Sequence, residues 1–211
     1  MINRKWLVTG GVTLGIILAL MLGYAIGRSV DPGTVPVASA SAATPGDDSA
    51  EAGFARDMST HHAQAVDMSM IAAAKATNPN VRQLGYDIAL TQENQIGIMQ
   101  TWLKDWGLDP TGTQPKMAWM PEGTAALKDG LMPGMATQDQ MRQLQSASGK
   151  QVDILYLKLI LAHHLGGIHM VDGVLAKTTD PDVKELAENM KAGQQKEITV
   201  VQDLLKDLGA A

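Results

Sequence analysis

Residues 54–107 align with residues 156–209 without a gap, at a constant offset of 102, and no other feature narrows the fold so far. His61 falls on His163, His62 on His164, Met68 on Met170, Pro79 on Pro181, Val81 on Val183 and Leu84 on Leu186. Further along, Gln92 falls on Gln194, Ile96 on Ile198, and Leu103-Lys104-Asp105 on Leu205-Lys206-Asp207. Roughly a third of the aligned positions are identical, too many for a gapless coincidence. The chain therefore holds two copies of one unit, and what the first copy forms the second must form as well.

Each copy reads as a helical hairpin. The first helix is expected over residues 52–76 and ends at Thr77-Asn78-Pro79-Asn80, because proline disfavours helix in the preceding residue and suits the first turn of the next. A second helix then runs to Trp106, with Gly107 as a left-handed cap. Its apolar residues Val81, Leu84, Ile88, Ile96, Met99, Leu103 and Trp106 recur mainly at three- and four-residue steps. In the second copy Asp180-Pro181-Asp182 marks the turn, and Val183, Leu186, Met190, Val201, Leu204 and Leu208 form the stripe. A lone hairpin cannot bury such a face, so the two are expected to pack into an all-α four-helix bundle. Between them, residues 108–150 form a long crossover containing Met117, Met120, Met132, Met135 and Met141. These thioethers can pack over one end of the bundle or act as soft ligands, and packing is the reading preferred here. Thr137-Gln138-Asp139-Gln140 has the capping-box pattern of a short helix reaching Ala147.

Upstream, Arg4-Lys5 precedes an uncharged, mostly apolar run from Trp6 to Gly27 that Arg28 closes. At about 1.5 Å per helical residue the run can cross a bilayer, and it is longer than the roughly 7–15 residues of a usual signal-peptide core. Residues 1–28 are read as a retained signal anchor, with cleavage near Ala38-Ser39-Ala40 or Ala42-Ala43 as the alternative. The basic pair should stay in the cytoplasm, which places the rest of the chain outside it under either reading. Residues 29–53, rich in Ala, Ser, Pro and Gly, read as a flexible linker to a domain over 54–211.

All five histidines lie in two segments, at His61-His62 and at His163-His164 with His169. There is no cysteine, which removes disulfides, thiol nucleophiles and cysteine-based zinc sites, so a soft sulfur ligand can only be methionine. The net charge of -5 gives no reason to expect nucleic acid. On a helix, Asp57, His61 and Met68 share a face, as do Leu159, His163, Gly167 and Met170. Adjacent histidines diverge by about 100°, so one ring of each pair can enter the bundle while the other reaches a groove or solvent. If the two first helices pack about an approximate two-fold axis, an imidazole from each pair and both methionines converge, with Ala65 and Gly167 leaving room beside the rings. Imidazole suits copper and zinc, and thioether favours copper(I). The expected metal ligands are His61, His62, Met68, His163, His164 and Met170, with Asp57, Met58 and His169 behind them and Asp57 as a hydrogen-bond partner for His61.

The residues from about Phe54 to Leu208 resemble the bacterial DUF305 family. The resemblance rests on Asp57-Met58-Ser59-Thr60-His61-His62 with Met68, on Gln92 with Ile96, Met99 and Trp102-Leu103, on Met132-Pro133-Gly134-Met135, and on Ala162-His163-His164 with Met170. It implies a ferritin-like four-helix bundle and, in part of the family, copper or silver binding by periplasmic proteins of the CopM type. Gln95 departs from the pattern, which usually carries Glu there, whereas Glu197 keeps the acid in the second copy; His169 stands where the first copy has Asp67.

The function expected is extracytoplasmic sequestration or transfer of copper, with silver or zinc as other candidate ions, and no chemical turnover. A metal-independent structural or partner-binding bundle is the alternative. A ferritin-like oxidase is less favoured, because neither histidine segment has Glu three residues before a histidine. Pairing of the chain into a homodimer is left open.

Overall fold

The computed structural model describes residues 44–210; the apolar run at 6–27 and most of the Ala/Ser/Pro-rich linker lie outside the described residues. Among the described residues there are five α-helices and no strand: α1 (Ala50–Lys75), α2 (Pro79–Asp105), α3 (Gln138–Ser146), α4 (Lys150–Leu175) and α5 (Pro181–Asp207). α1 starts at Ala50, before the repeat begins, because the Ser49 side chain accepts the amide of Ala52 and caps it.

The duplicated turn signals give duplicated ends. Asn78 and Asp180 each accept two amides of the helix that follows, Asn80 and Val81 in one copy and Asp182 and Val183 in the other, with proline in the first turn of both. Gly107 carries a φ of 71°, the left-handed cap that the sequence calls for. Thr137 and Gln140 complete the capping box of α3.

The helices differ in how they are buried. α5 buries a stripe, Val183, Ala187, Met190, Gln194, Val201, Leu204 and Leu205, at the spacing of one helical face, and α2 does the same. α1 and α4 pack against each other as well as against their hairpin partners, so they bury residues around more of their circumference. α4 has a mean hydropathy of 1.4 over 18 residues, enough to pass for a membrane span by composition, yet 56% of that window is buried among the other helices.

α1 and α4 run antiparallel. Near the end of α1, Ser69 hydrogen-bonds Tyr156 near the start of α4, and just past that end Thr77 donates its amide and hydroxyl to Asp153. This direction splits the apolar core in two. One half gathers Phe54, Ala55 and Met58 of α1 with Met99 and Leu103 of α2, Met170 and Val174 of α4, and Val183 and Met190 of α5. The other gathers Met68 and Ala72 with Val81, Ile88, Tyr156, Ile160, Val201 and Leu204, and α3 closes it with Leu144. Met117, Met120 and Met132 of the crossover pack into the first half.

Candidate functional site

Between the two apolar halves lies a buried polar layer. His61, His62 and His164 are 0% exposed and His163 is 1% exposed, and Gln92 and Gln194 join them at 3% and 5%. Each first helix is flanked both by its hairpin partner and by the other first helix, so two side chains about 100° apart can both point inward. His61 and His163 meet across the α1–α4 contact with ring centroids 3.8 Å apart and planes tilted by 35°. His62 and His164 turn instead toward α2 and α5.

The hydrogen bonds of the layer fix its tautomers. Nε2 of His61 donates to the Pro133 carbonyl at 2.9 Å, and Nε2 of His163 donates to the His61 carbonyl at 2.9 Å. Nε2 of His62 donates to Oε1 of Gln95 at 2.9 Å, while Nε2 of His164 donates to Oε2 of Glu197 at 2.6 Å. A carbonyl or carboxylate oxygen can only accept, so each ring carries a hydrogen on Nε2, and a neutral ring then leaves Nδ1 as a bare lone pair. Nδ1 of His61, His62 and His164 has no partner, and neither do both polar atoms of the Gln92 amide or Oε1 of Gln194. Among the described residues, all the buried side-chain polar atoms left unpartnered belong to this layer. Each such atom costs about 1–3 kcal/mol when no partner replaces its lost water.

Burial keeps His61, His62 and His163 neutral. It lowers the pKa of His61 to about 4 and that of His62 to about 3, and holds His163 well below the usual imidazole range. In each case desolvation is the largest cause; the neighbouring histidines lower the values further, and the hydrogen bonds of the rings oppose it. A neutral imidazole is the form that ligates a metal.

The crossover covers one side of the layer. The Pro133 carbonyl that holds His61 lies against Gly166, where a Cβ would come within 1.9 Å of that oxygen. Gln64 clamps the next turn, donating to the Ala136 carbonyl at 2.9 Å and accepting the Ala136 amide at 2.7 Å. The Met132-Pro133-Gly134-Met135 segment is thus a strap across α1 and α4.

Several expectations from the sequence change here. His62 and His164 reach neither groove nor solvent. Met68 and Met170 do not share a space, because they lie in opposite halves of the core. In an antiparallel pair that meets at His61 and His163, a residue seven positions on lies about 10 Å toward opposite ends in the two helices. Met170 is grouped instead with Met58. Asp57 does not support His61: its Oδ2 accepts the Met117 amide at 2.7 Å and the Trp119 indole at 2.8 Å. Burial raises the Asp57 pKa, and those two hydrogen bonds oppose the shift. His169 is 45% exposed and lies 3.8 Å from Glu122, away from the layer. The room expected beside Gly167 is filled by the Gln194 side chain, whose Oε1 would lie 2.7 Å from an added Cβ. Gln92, Gln194 and Pro133 were missed as site residues, although the matched glutamines within an otherwise apolar stripe were visible in the repeat.

Other polar clusters are separate from the layer. A surface cleft of about 490 Å³, lined by Arg56, Asp57, Thr60, Lys116 and Trp119 among others, contains no histidine. Among the described residues, no three His, Cys, Asp or Glu side chains converge closely enough to hold a metal ion by themselves.

Fold and site together define an all-helical, cysteine-free protein with a duplicated hairpin and a buried histidine–glutamine layer. The family model described as a domain of unknown function, DUF305, matches residues 51–205, and the chain belongs to that family. A DUF305 protein from Streptomyces coelicolor is 45% identical with a TM-score of 0.72, the match covering 78% of this chain and 97% of that one. A DUF305 fragment from Deinococcus radiodurans is 28% identical with a TM-score of 0.62, covering 75% and 96%. CopM in its Cu(I)-bound form is 22% identical with a TM-score of 0.59, covering 74% and 96%, a likeness that shows the shared fold. A comparison with curated proteins gives no match.

Proposed function

We propose that this protein is an extracytoplasmic carrier of a soft metal ion, copper or silver, built on a ferritin-like four-helix bundle and acting without chemical turnover. One observation carries the reading: three imidazole nitrogens, Nδ1 of His61, His62 and His164, are buried and without a partner, and burial keeps His61 and His62 neutral. A metal ion satisfies such a group at no cost in protonation. Since no three His, Cys, Asp or Glu side chains among the described residues converge unaided, the ion draws on sulfur too. Met58 precedes His61 and His62 by about one helical turn on α1 and shares its half of the core with Met99, Met170 and Met190 from the other three long helices. Nitrogen with thioether and no thiolate favours copper(I). The ligands proposed are His61, His62, His163 and His164 with Met58 and Met170; Met68 packs in the other half of the core.

Two likenesses support the reading. CopM, which shares the fold, has been solved in Cu(I)-, Cu(II)- and Ag-bound forms. The Streptomyces coelicolor relative is provisionally classed as a secreted protein, in keeping with the N-terminal apolar run of this chain.

Titration of the full-length protein with Cu(I) against a competing Cu(I) chelator tests the proposal. Tight binding is expected in the wild type, with loss of binding when His61, His62, His163 and His164 are all replaced by alanine. Absence of binding in the wild type sinks the metal reading, and binding that survives the fourfold replacement sinks the ligand assignment. The metal-independent reading has an observation of its own, since His61 and His163 already donate to backbone carbonyls as purely structural histidines would. It predicts that the same replacements change stability alone.

A further inference from the structure

Each copy pairs the second histidine of its layer with a residue of the second helix, and the two pairs differ in the acceptor. His62 and Gln95 are 33 residues apart, as are His164 and Glu197, and in both pairs the imidazole Nε2 donates to the partner's side-chain oxygen. In the first copy the acceptor is a neutral carboxamide at 2.9 Å, and in the second it is a carboxylate at 2.6 Å. Both rings are buried with an unpartnered Nδ1. A carboxylate on the far nitrogen of a ligating histidine raises its basicity and adds negative charge behind it, whereas an amide only orients the ring.

We infer that the two half-sites differ in the ion they prefer: the His164–Glu197 half is the stronger donor and selects divalent copper, and the His62–Gln95 half is left neutral for a soft monovalent ion. This inference rests on the metal-binding reading above and adds its selectivity. The physical basis is charge matching. A doubly charged ion brought into a buried layer gains more from an adjacent carboxylate than a singly charged one does, and the low dielectric of the core enlarges the difference. A singly charged soft ion depends more on the polarisable sulfur and nitrogen around it, which the neutral half leaves undisturbed. Glu197 is the selecting residue although it need not touch the ion, because it acts through the His164 ring.

The test uses the full-length protein with two single substitutions that exchange the acceptors, Glu197→Gln and Gln95→Glu. The probes are Cu(II) and, as a redox-inert monovalent ion, Ag(I), each titrated with a competing chelator, with the Cu(II) EPR spectrum recorded alongside. Gln95 shows that a glutamine at this place keeps the imidazole hydrogen bond, so Glu197→Gln should retain the fold. In that variant Cu(II) affinity is expected to fall by about 10- to 100-fold, with a changed EPR spectrum. Ag(I) affinity should move by less than about threefold. Gln95→Glu is expected to tighten Cu(II) binding, a gain that a folding defect cannot produce. Equal losses for Cu(II) and Ag(I) in Glu197→Gln overturn the inference, as does unchanged Cu(II) binding in both variants; in either case the metal-binding reading survives. Failure of the wild type to bind either ion overturns both.

Discussion

Among single residues, the glutamines of the layer have the least support from their surroundings. Gln92 has neither polar atom paired and is 3% exposed, a position where the apolar stripe of α2 would otherwise continue. Replacing it with methionine, of similar length, should stabilise the metal-free protein by about 1–3 kcal/mol, since an unsatisfied amide is removed. Urea denaturation measures this, and a loss of stability would mean that the amide has a bound partner. The histidines predict a pH dependence. Their folded pKa values, about 4 for His61 and about 3 for His62, lie below the unfolded value of 6.5. Below about pH 6.5 the unfolded chain therefore takes up protons that the folded chain refuses, and stability falls with pH from there toward about 4, by roughly 3 kcal/mol for His61 alone. Denaturation of metal-free protein at pH 7.5 and 4.5 should show the loss, and the variant with all four layer histidines replaced should lose most of the slope.

Among elements, the crossover is held at two places, and each makes a separate prediction. At Gly166 the strap passes so close to α4 that a Cβ cannot fit beside the Pro133 carbonyl. Gly166→Ala should destabilise the protein by about 1–3 kcal/mol or more, as overpacking does, and weaken metal retention by lifting the strap off His61. Thermal denaturation and metal off-rate together check this. At the other place Asp57 holds the Met117 amide and the Trp119 indole, and Met117 has a φ of 65°, a strained value for a side-chain-bearing residue. Asp57→Ala removes a buried acceptor of two hydrogen bonds and should cost about 2–4 kcal/mol. Tryptophan fluorescence should report release of Trp119. Metal affinity measured well below the unfolding transition should stay near the wild-type value, because Asp57 makes no hydrogen bond to the histidines; a large drop would restore it to the site.

Across the whole molecule, the antiparallel pairing of α1 with α4 decides where the sulfur lies. Among the described residues, seven methionines, Met58, Met99, Met117, Met120, Met132, Met170 and Met190, are buried in one half of the core, whereas Met68 is the one fully buried in the other. Met170→Leu should weaken Cu(I) binding, while Met68→Leu, a near volume-conserving change, should leave it within about twofold and cost less than about 1.5 kcal/mol of stability. Chelator competition on the two variants separates a one-sided sulfur site from one shared by the repeats. Equal losses would favour the two-fold arrangement that the repeat suggests.

The sequence by itself determined the duplication, the hairpins, the proline-marked turns, and the confinement of histidine to α1 and α4. These are local properties, set by spacing, turn chemistry and composition, and a helix carries them wherever it packs. The tertiary structure alone decided which side chains meet. Periodicity says which residues share a face, but not whether a neighbouring helix runs parallel or antiparallel, nor how many sides of it are covered. Covering α1 and α4 on more than one side buried His62 and His164, which the repeat alone left free to face solvent. Running those helices in opposite directions brought His61 against His163, sent Met68 and Met170 to opposite ends, and placed Met58 in the half of the core that holds Met170.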